Sequence, residues 1–155
     1  MTTFNFEDGN GPVPAHQHSN GGGWVADTAT VADTAFIGPD ARVSGNARVT
    51  GNARVTGYAR VSGNAWVTGY ARVSDDARVY DNARVTGNAW ISGNAKVTGN
   101  TRVTGNTRVT GDAQVFGDAR VTGNAKVFDD VEDDDTSEDI FIEMNGKRYK
   151  LVEIA

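Results

Sequence analysis

Hydrophobic positions recur along most of this chain at a spacing that never slips. A branched aliphatic residue stands at every sixth position, from Val25, Val31 and Ile37 to Val121 and Val127. Four residues after each comes a small one, nearly always alanine, from Ala29 and Ala35 to Ala125. Gly-Asn, Gly-Asp or Asp-Asp pairs lie between them. In the unit Val49-Thr50-Gly51-Asn52-Ala53-Arg54, period-two alternation puts Ala53 and Val55 on one side of a short strand and Arg54 and Thr56 on the other. Gly51-Asn52 supplies the bend, because both residues tolerate the positive φ of a tight corner. The unit thus predicts a four-residue strand followed by a two-residue corner. Every unit points its aliphatic residue inward, which rules out a hairpin meander and predicts a coil. Three strands and three corners make a triangular turn of 18 residues, and successive turns stack in parallel.

This phrase resembles the hexapeptide repeat of left-handed β-helix proteins, a family that includes acyltransferases and γ-type carbonic anhydrases. The match holds at the aliphatic and small positions throughout Val25–Phe128, roughly two thirds of the chain. It departs at the second position, which is Thr or Ser (Thr50, Ser62, Thr68) where that family prefers Gly, Ala or an acid. The left-handed sense is implied by the resemblance alone, since general crossover rules favour the right hand. The expected fold is all-β: a left-handed parallel β-helix of about six triangular coils, roughly 30 Å tall at ~4.8 Å per coil. Its interior is a column of Val and Ala, in which Thr101 and Thr107 replace Ala. Those two hydroxyls are expected to bond to nearby backbone.

The ends differ in texture, which predicts an N-terminal cap over 1–24, an acidic linker over 129–139 and a C-terminal β-hairpin over 140–155. A cap is expected because an exposed first coil presents unpaired strand edges. Phe4, Phe6, Val13 and Trp24 are expected to close the open end of the column. His16 and His18 lie two apart, a spacing that points both rings the same way in a strand and suits a transition metal. A threefold assembly would gather six imidazoles. The alternative is a polar cap turn with hydrogen-bonded histidines. The stretch DDVEDDDTSED is too acidic and too poor in apolar residues to pack. After it, Asn145-Gly146 between alternating segments is a strong hairpin signal.

Composition changes the picture mainly through charge. The net charge of -5 conceals a basic prism between acidic ends. From Arg42 to Lys126 there are twelve Lys or Arg and five Asp, whereas residues 1–41 hold five acids and no Lys or Arg. Stacking at 18-residue intervals turns the outward position before each aliphatic residue into three columns. One runs Trp24, Arg42, Arg60, Arg78, Lys96, Gln114; the next Thr30, Arg48, Trp66, Arg84, Arg102, Arg120; the third Phe36, Arg54, Arg72, Trp90, Arg108, Lys126. These columns are either a solubilising surface or a multivalent site for an anionic partner, such as an acidic protein or a phosphate-bearing ligand. In the second case Arg48, Trp66, Arg84 and Arg102, with Arg72, Trp90 and Arg108, are the binding residues, joining base stacking to phosphate contact. The threonine column Thr50, Thr68, Thr86, Thr104, Thr122 needs no more than β-propensity to explain it.

Catalysis is disfavoured. No insertion interrupts Val25–Phe128 and that tract holds no histidine, whereas the resemblance to acyltransferases and γ-carbonic anhydrases would require both a site and its histidines there. Cysteine is absent, which removes disulfides and thiolate metal sites. No apolar run approaches spanning length and no basic-hydrophobic leader opens the chain, so the expected location is cytoplasmic, or virion-associated if the protein is phage-encoded. The expected function is a non-enzymatic structural or interaction protein: a rigid rod that self-assembles, as a trimer, or decorates a larger body. The alternative is an anion- or nucleotide-binding protein using Arg/Trp-lined subunit grooves.

Overall fold

The computed structural model describes residues 2–129, 140–144 and 147–151, and its regular elements are all strands. An N-terminal hairpin, β1 (Thr3–Asn5) and β2 (Pro12–Gln17), leads into β3 (Trp24–Ala26), β4 (Thr30–Val31) and β5 (Phe36–Ile37). Two-residue strands then follow every six positions from β6 (Arg42–Val43) to β18 (Gln114–Val115) and β19 (Arg120–Val121), and β20 (Lys126–Asp129) ends the series. As far as β17, each pairs in parallel with the strand three further on, in registers such as Arg42↔Arg60, Trp66↔Arg84 and Trp90↔Arg108. The result is a three-faced parallel β-solenoid of about six turns.

The strands are shorter than the four residues the repeat predicts, because the turn takes more of each unit. In Ser44-Gly45-Asn46-Ala47 the Ala47 amide donates back to the Ser44 carbonyl at 3.3 Å. Gly45 has φ 63 and Asn46 is not in the positive region, the pattern of a type II′ turn. The corner is therefore four residues long and the ladder keeps only the Arg-Val pair. Corners also stack tightly: a Cβ on Gly51 would lie 3.0 Å from the Gly69 carbonyl oxygen. Asp75 and Asp81 occupy the glycine position at φ 58 and 61. Their carboxylates repay part of that strain by accepting the amides of Gly93 and Gly99 in the coil beyond, at 3.0 and 3.2 Å.

Inside, Val43 to Val97 and the intervening alanines are wholly buried, and each buried Val contributes about 1.5–3 kcal/mol. Thr101 and Thr107 are also wholly buried, but their Oγ1 atoms find no hydrogen-bond partner among the described residues. The expected bond to backbone is absent.

The N-terminal aromatics do not plug the column. Phe4, Phe6, Val13, Ala15, Trp24 and Ala26 form a second cluster, separate from the Val/Ala core. β2 pairs antiparallel with β3 and β1 with β2, so the hairpin extends the first face. Phe4 stacks on outward-facing Trp24 at 4.6 Å, and Phe6 meets Phe4 edge-on at 5.0 Å. The column end is closed instead by the segment from His18 to Gly23. The Gly23 amide donates to the Ile37 carbonyl and the Ile37 amide to the Asn20 carbonyl, both at 3.0 Å. Only glycine fits here: a Cβ on Gly23 would lie 2.4 Å from Ile37 Cγ2.

At the other end, β21 (Ile140–Met144) pairs antiparallel with β20, and β22 (Lys147–Leu151) with β21, extending the third face. Residues 130–139 of the acidic segment and the Asn145-Gly146 turn lie outside the described residues.

Replacing Thr101 or Thr107 by valine keeps the volume and removes a buried, unpartnered hydroxyl. Each change is expected to stabilise the rod by about 1 kcal/mol, read as a higher midpoint in thermal unfolding. An unchanged or lower midpoint would mean the hydroxyl is satisfied.

Candidate functional site

The outward positions form the columns that the repeat implies. Trp24, Arg42, Arg60, Arg78, Lys96 and Gln114 are successive rungs of the first sheet. Arg48, Trp66, Arg84 and Arg102 are consecutive rungs of the second, and Arg72, Trp90 and Arg108 of the third. The two candidate anion sets therefore sit on different faces. Rungs lie about 4.8 Å apart, so like charges are forced together.

Aromatic rings relieve this crowding. Arg48 and Arg84, the rungs on either side, both lie over the Trp66 ring, with Cζ at 5.3 and 4.8 Å from its centroid. Arg72 and Arg108 do the same for Trp90 at 5.7 and 5.6 Å, while the indole N–H donates to Ser74 Oγ at 3.2 Å. Arg54 covers Phe36 at 5.1 Å and Arg42 covers Phe4 at 5.2 Å. Each contact is worth ~0.5–1 kcal/mol at such exposed sites. The indoles are thereby engaged by the arginine rung on either side. Base stacking, the role foreseen for them in ligand binding, would have to displace a guanidinium.

The longest uninterrupted run of cations, Arg42-Arg60-Arg78-Lys96, lies on the first face. There the turn after β1 brings in Glu7, whose Oε2 is 3.2 Å from Arg42 Nη1 and 3.3 Å from Arg60 Nη2. Arg42 and then Arg60 hold the Glu7 carboxyl below the usual carboxylate range. Glu7 itself sits at φ 59, a region a side chain of its kind seldom occupies. Arg42 Nη1 is buried and lies off the hydrogen-bond direction of that carboxylate, so it has no hydrogen-bond partner among the described residues. The hairpin overhang makes a cleft of about 220 Å³ between Phe6, Glu7 and the arginine run. Sequence reasoning missed this site, because Glu7 is brought to Arg60 only by the hairpin folding over the first face.

The histidine pair is separated. His16 Nδ1 lies 2.8 Å from Asp27 Oδ1 at the surface, whereas His18 is buried with Nε2 donating to the Ala35 carbonyl at 3.0 Å. The two rings do not share one direction, because the strand ends at Gln17 and His18 begins the closing segment. Among the described residues no group of three or more His, Asp or Glu is placed to hold a metal. No helix among them is long and apolar enough to cross a membrane.

With this geometry in place, comparison with known proteins decides the class. Residues 35–132 match the bactofilin family, described as polymer-forming cytoskeletal, over well more than half of the chain. The chain belongs to the bactofilin family. Comparison with curated proteins gives no match. As a bactofilin it falls in a family of non-enzymatic, polymer-forming structural proteins. The uninterrupted repeat suits such a role: a bactofilin needs a rigid body with ends, and the stacked coils supply both.

Trp66→Ala removes two cation–π contacts and leaves Arg48 and Arg84 facing across a gap. The expected loss is about 1–2 kcal/mol of stability at low ionic strength, shrinking in high salt as the remaining repulsion is screened. Thermal unfolding at the two salt concentrations checks this; a loss independent of salt would assign Trp66 a packing role alone.

Proposed function

We propose that this bactofilin polymerises end to end, through strand edges that the capping segments leave open, to form a cytoplasmic cytoskeletal filament. The observation that carries this reading is the uneven capping of the three sheets. The first sheet ends at its C-terminal side on β18, with Phe116 exposed beside it. The second begins at β4 and ends at β19, with no strand added at either edge among the described residues. The third is extended by β21 and β22. An unpaired edge is a template for another chain's strand, so open edges at both rod ends favour growth along the rod axis.

Side-by-side association, as in a trimer, would press arginine columns against one another at a cost that grows with every rung. The cytoskeletal description of the family likewise favours a cellular polymer over a virion-associated rod or a decoration of a larger body. The anion-binding alternative, through Arg48, Trp66, Arg84 and Arg102 or Arg72, Trp90 and Arg108, rests on the exposure of these columns. It is the weaker reading because the indoles are already engaged.

Proline tests the edges directly. In β4 the internal bonds use the amides of Thr30 and Ala32, so Val31→Pro removes an outward N–H and spares them. Arg120→Pro does the same at β19, where Ala119 O accepts from Arg102 N in the preceding coil and Arg120 N donates to none of the described residues. Each variant is expected to keep its β-sheet circular dichroism and lose filaments by electron microscopy. Filaments of normal length in the double variant would exclude the edges as the junction.

A further inference from the structure

The cleft on the first face has the makings of a ligand site that polymer formation does not require. It lies on the flank of the rod, away from β4, β18 and β19. Its floor is the arginine run, where neighbouring guanidiniums sit one rung, about 4.8 Å, apart. Glu7 pairs with Arg42 and Arg60, but Arg78 at the open end of the cleft has no acidic partner among the described residues. Ser44 and Ser62 occupy the outward positions beside this run, and Tyr80 stands next to Arg78, so hydroxyl donors line the wall. Phe6, almost fully buried, and the Glu7 turn roof one side and keep part of the cleft from solvent. On the other two faces the arginines lie on an open surface, several of them against an indole or phenyl ring. Here there is a concavity lined by three arginines against two acids, Glu7 and Asp8, and by a set of hydroxyls.

We infer that this cleft binds a phosphate group, held between Arg60 and Arg78. Two guanidinium forks one rung apart can each take two oxygens of a tetrahedral dianion, whereas a planar carboxylate has oxygens for only one. Ser62 and Tyr80 donate to lone pairs that the guanidiniums leave free on the same oxygens. The volume, about 220 Å³, admits the group with a few waters or a small organic substituent. Glu7 holds the neighbouring position on Arg42 and Arg60, so it fixes where along the run the external anion sits. The phosphate arrives on a free small molecule or on a lipid headgroup.

The test uses the full chain. Inorganic phosphate is titrated by calorimetry at constant ionic strength, and sedimentation with phosphatidic-acid vesicles, against phosphatidylcholine vesicles, gives the second arm. Arg78→Ala is compared with Arg54→Ala, which removes the same charge from the third face; circular dichroism verifies both folds. Saturable binding of phosphate that falls at least tenfold in Arg78→Ala and stays within twofold of wild type in Arg54→Ala establishes the site for free phosphate. The same variant pattern confined to phosphatidic-acid vesicles assigns it to a headgroup. Equal weakening by the two variants would show diffuse attraction to a basic surface, and no binding in either arm would remove the site; both outcomes overturn the inference.

Discussion

Stacking in register at about 4.8 Å per coil is the constraint from which the rest of this molecule follows. Each residue meets its own kind one turn away, so whatever the repeat places at a position is multiplied into a column. Inside, this multiplies buried valine and alanine; at the corners it brings glycine onto glycine with almost no room for a Cβ. Asparagine corners gain from the same rule, as in the side-chain ladder from Asn64 through Asn82 to Asn100. The stability of the rod is thus a sum over repeated small contacts, with no single keystone.

Outside, the rule works against the chain, because arginine is multiplied too. The structure answers with three devices. Indoles interrupt the second and third columns, phenyl rings cover Arg42 and Arg54, and Glu7 crosses from the N-terminal hairpin to the one long run without an inserted ring. The hairpin therefore has an electrostatic task as well as a capping one. Its position over the first face creates the cleft, so the site is a by-product of relieving charge.

Much of this was legible from the repeat. The inward valines, the small alanine positions, the three outward columns and the order of residues along them follow from a six-residue period and need no tertiary information. The hand of the coil had no such residue-level signal and rested on resemblance. What escaped sequence reasoning is what departs from the period. Phe4 and Phe6 were placed at the column end because apolar residues near an open core are expected to plug it, yet their hairpin registers with the first face. His16 and His18 were paired by strand alternation, which fails where the strand stops at Gln17. The corner was read as two residues because Gly-Asn marks only its centre. Thr101 and Thr107 are expected to find backbone partners, and neither hydroxyl does among the described residues.

Family membership makes this rod a polymer-forming protein, and the proposed growth runs through the edges left open among the described residues. Its longitudinal axis is where the strand spacing repeats, so filament and solenoid share one axis if subunits join at their ends. Diffraction from aligned filaments measures this most directly. The account predicts that the strand-spacing reflection near 4.8 Å lies along the filament axis. The same reflection perpendicular to the axis would mean that the rods pack side by side, and would contradict it.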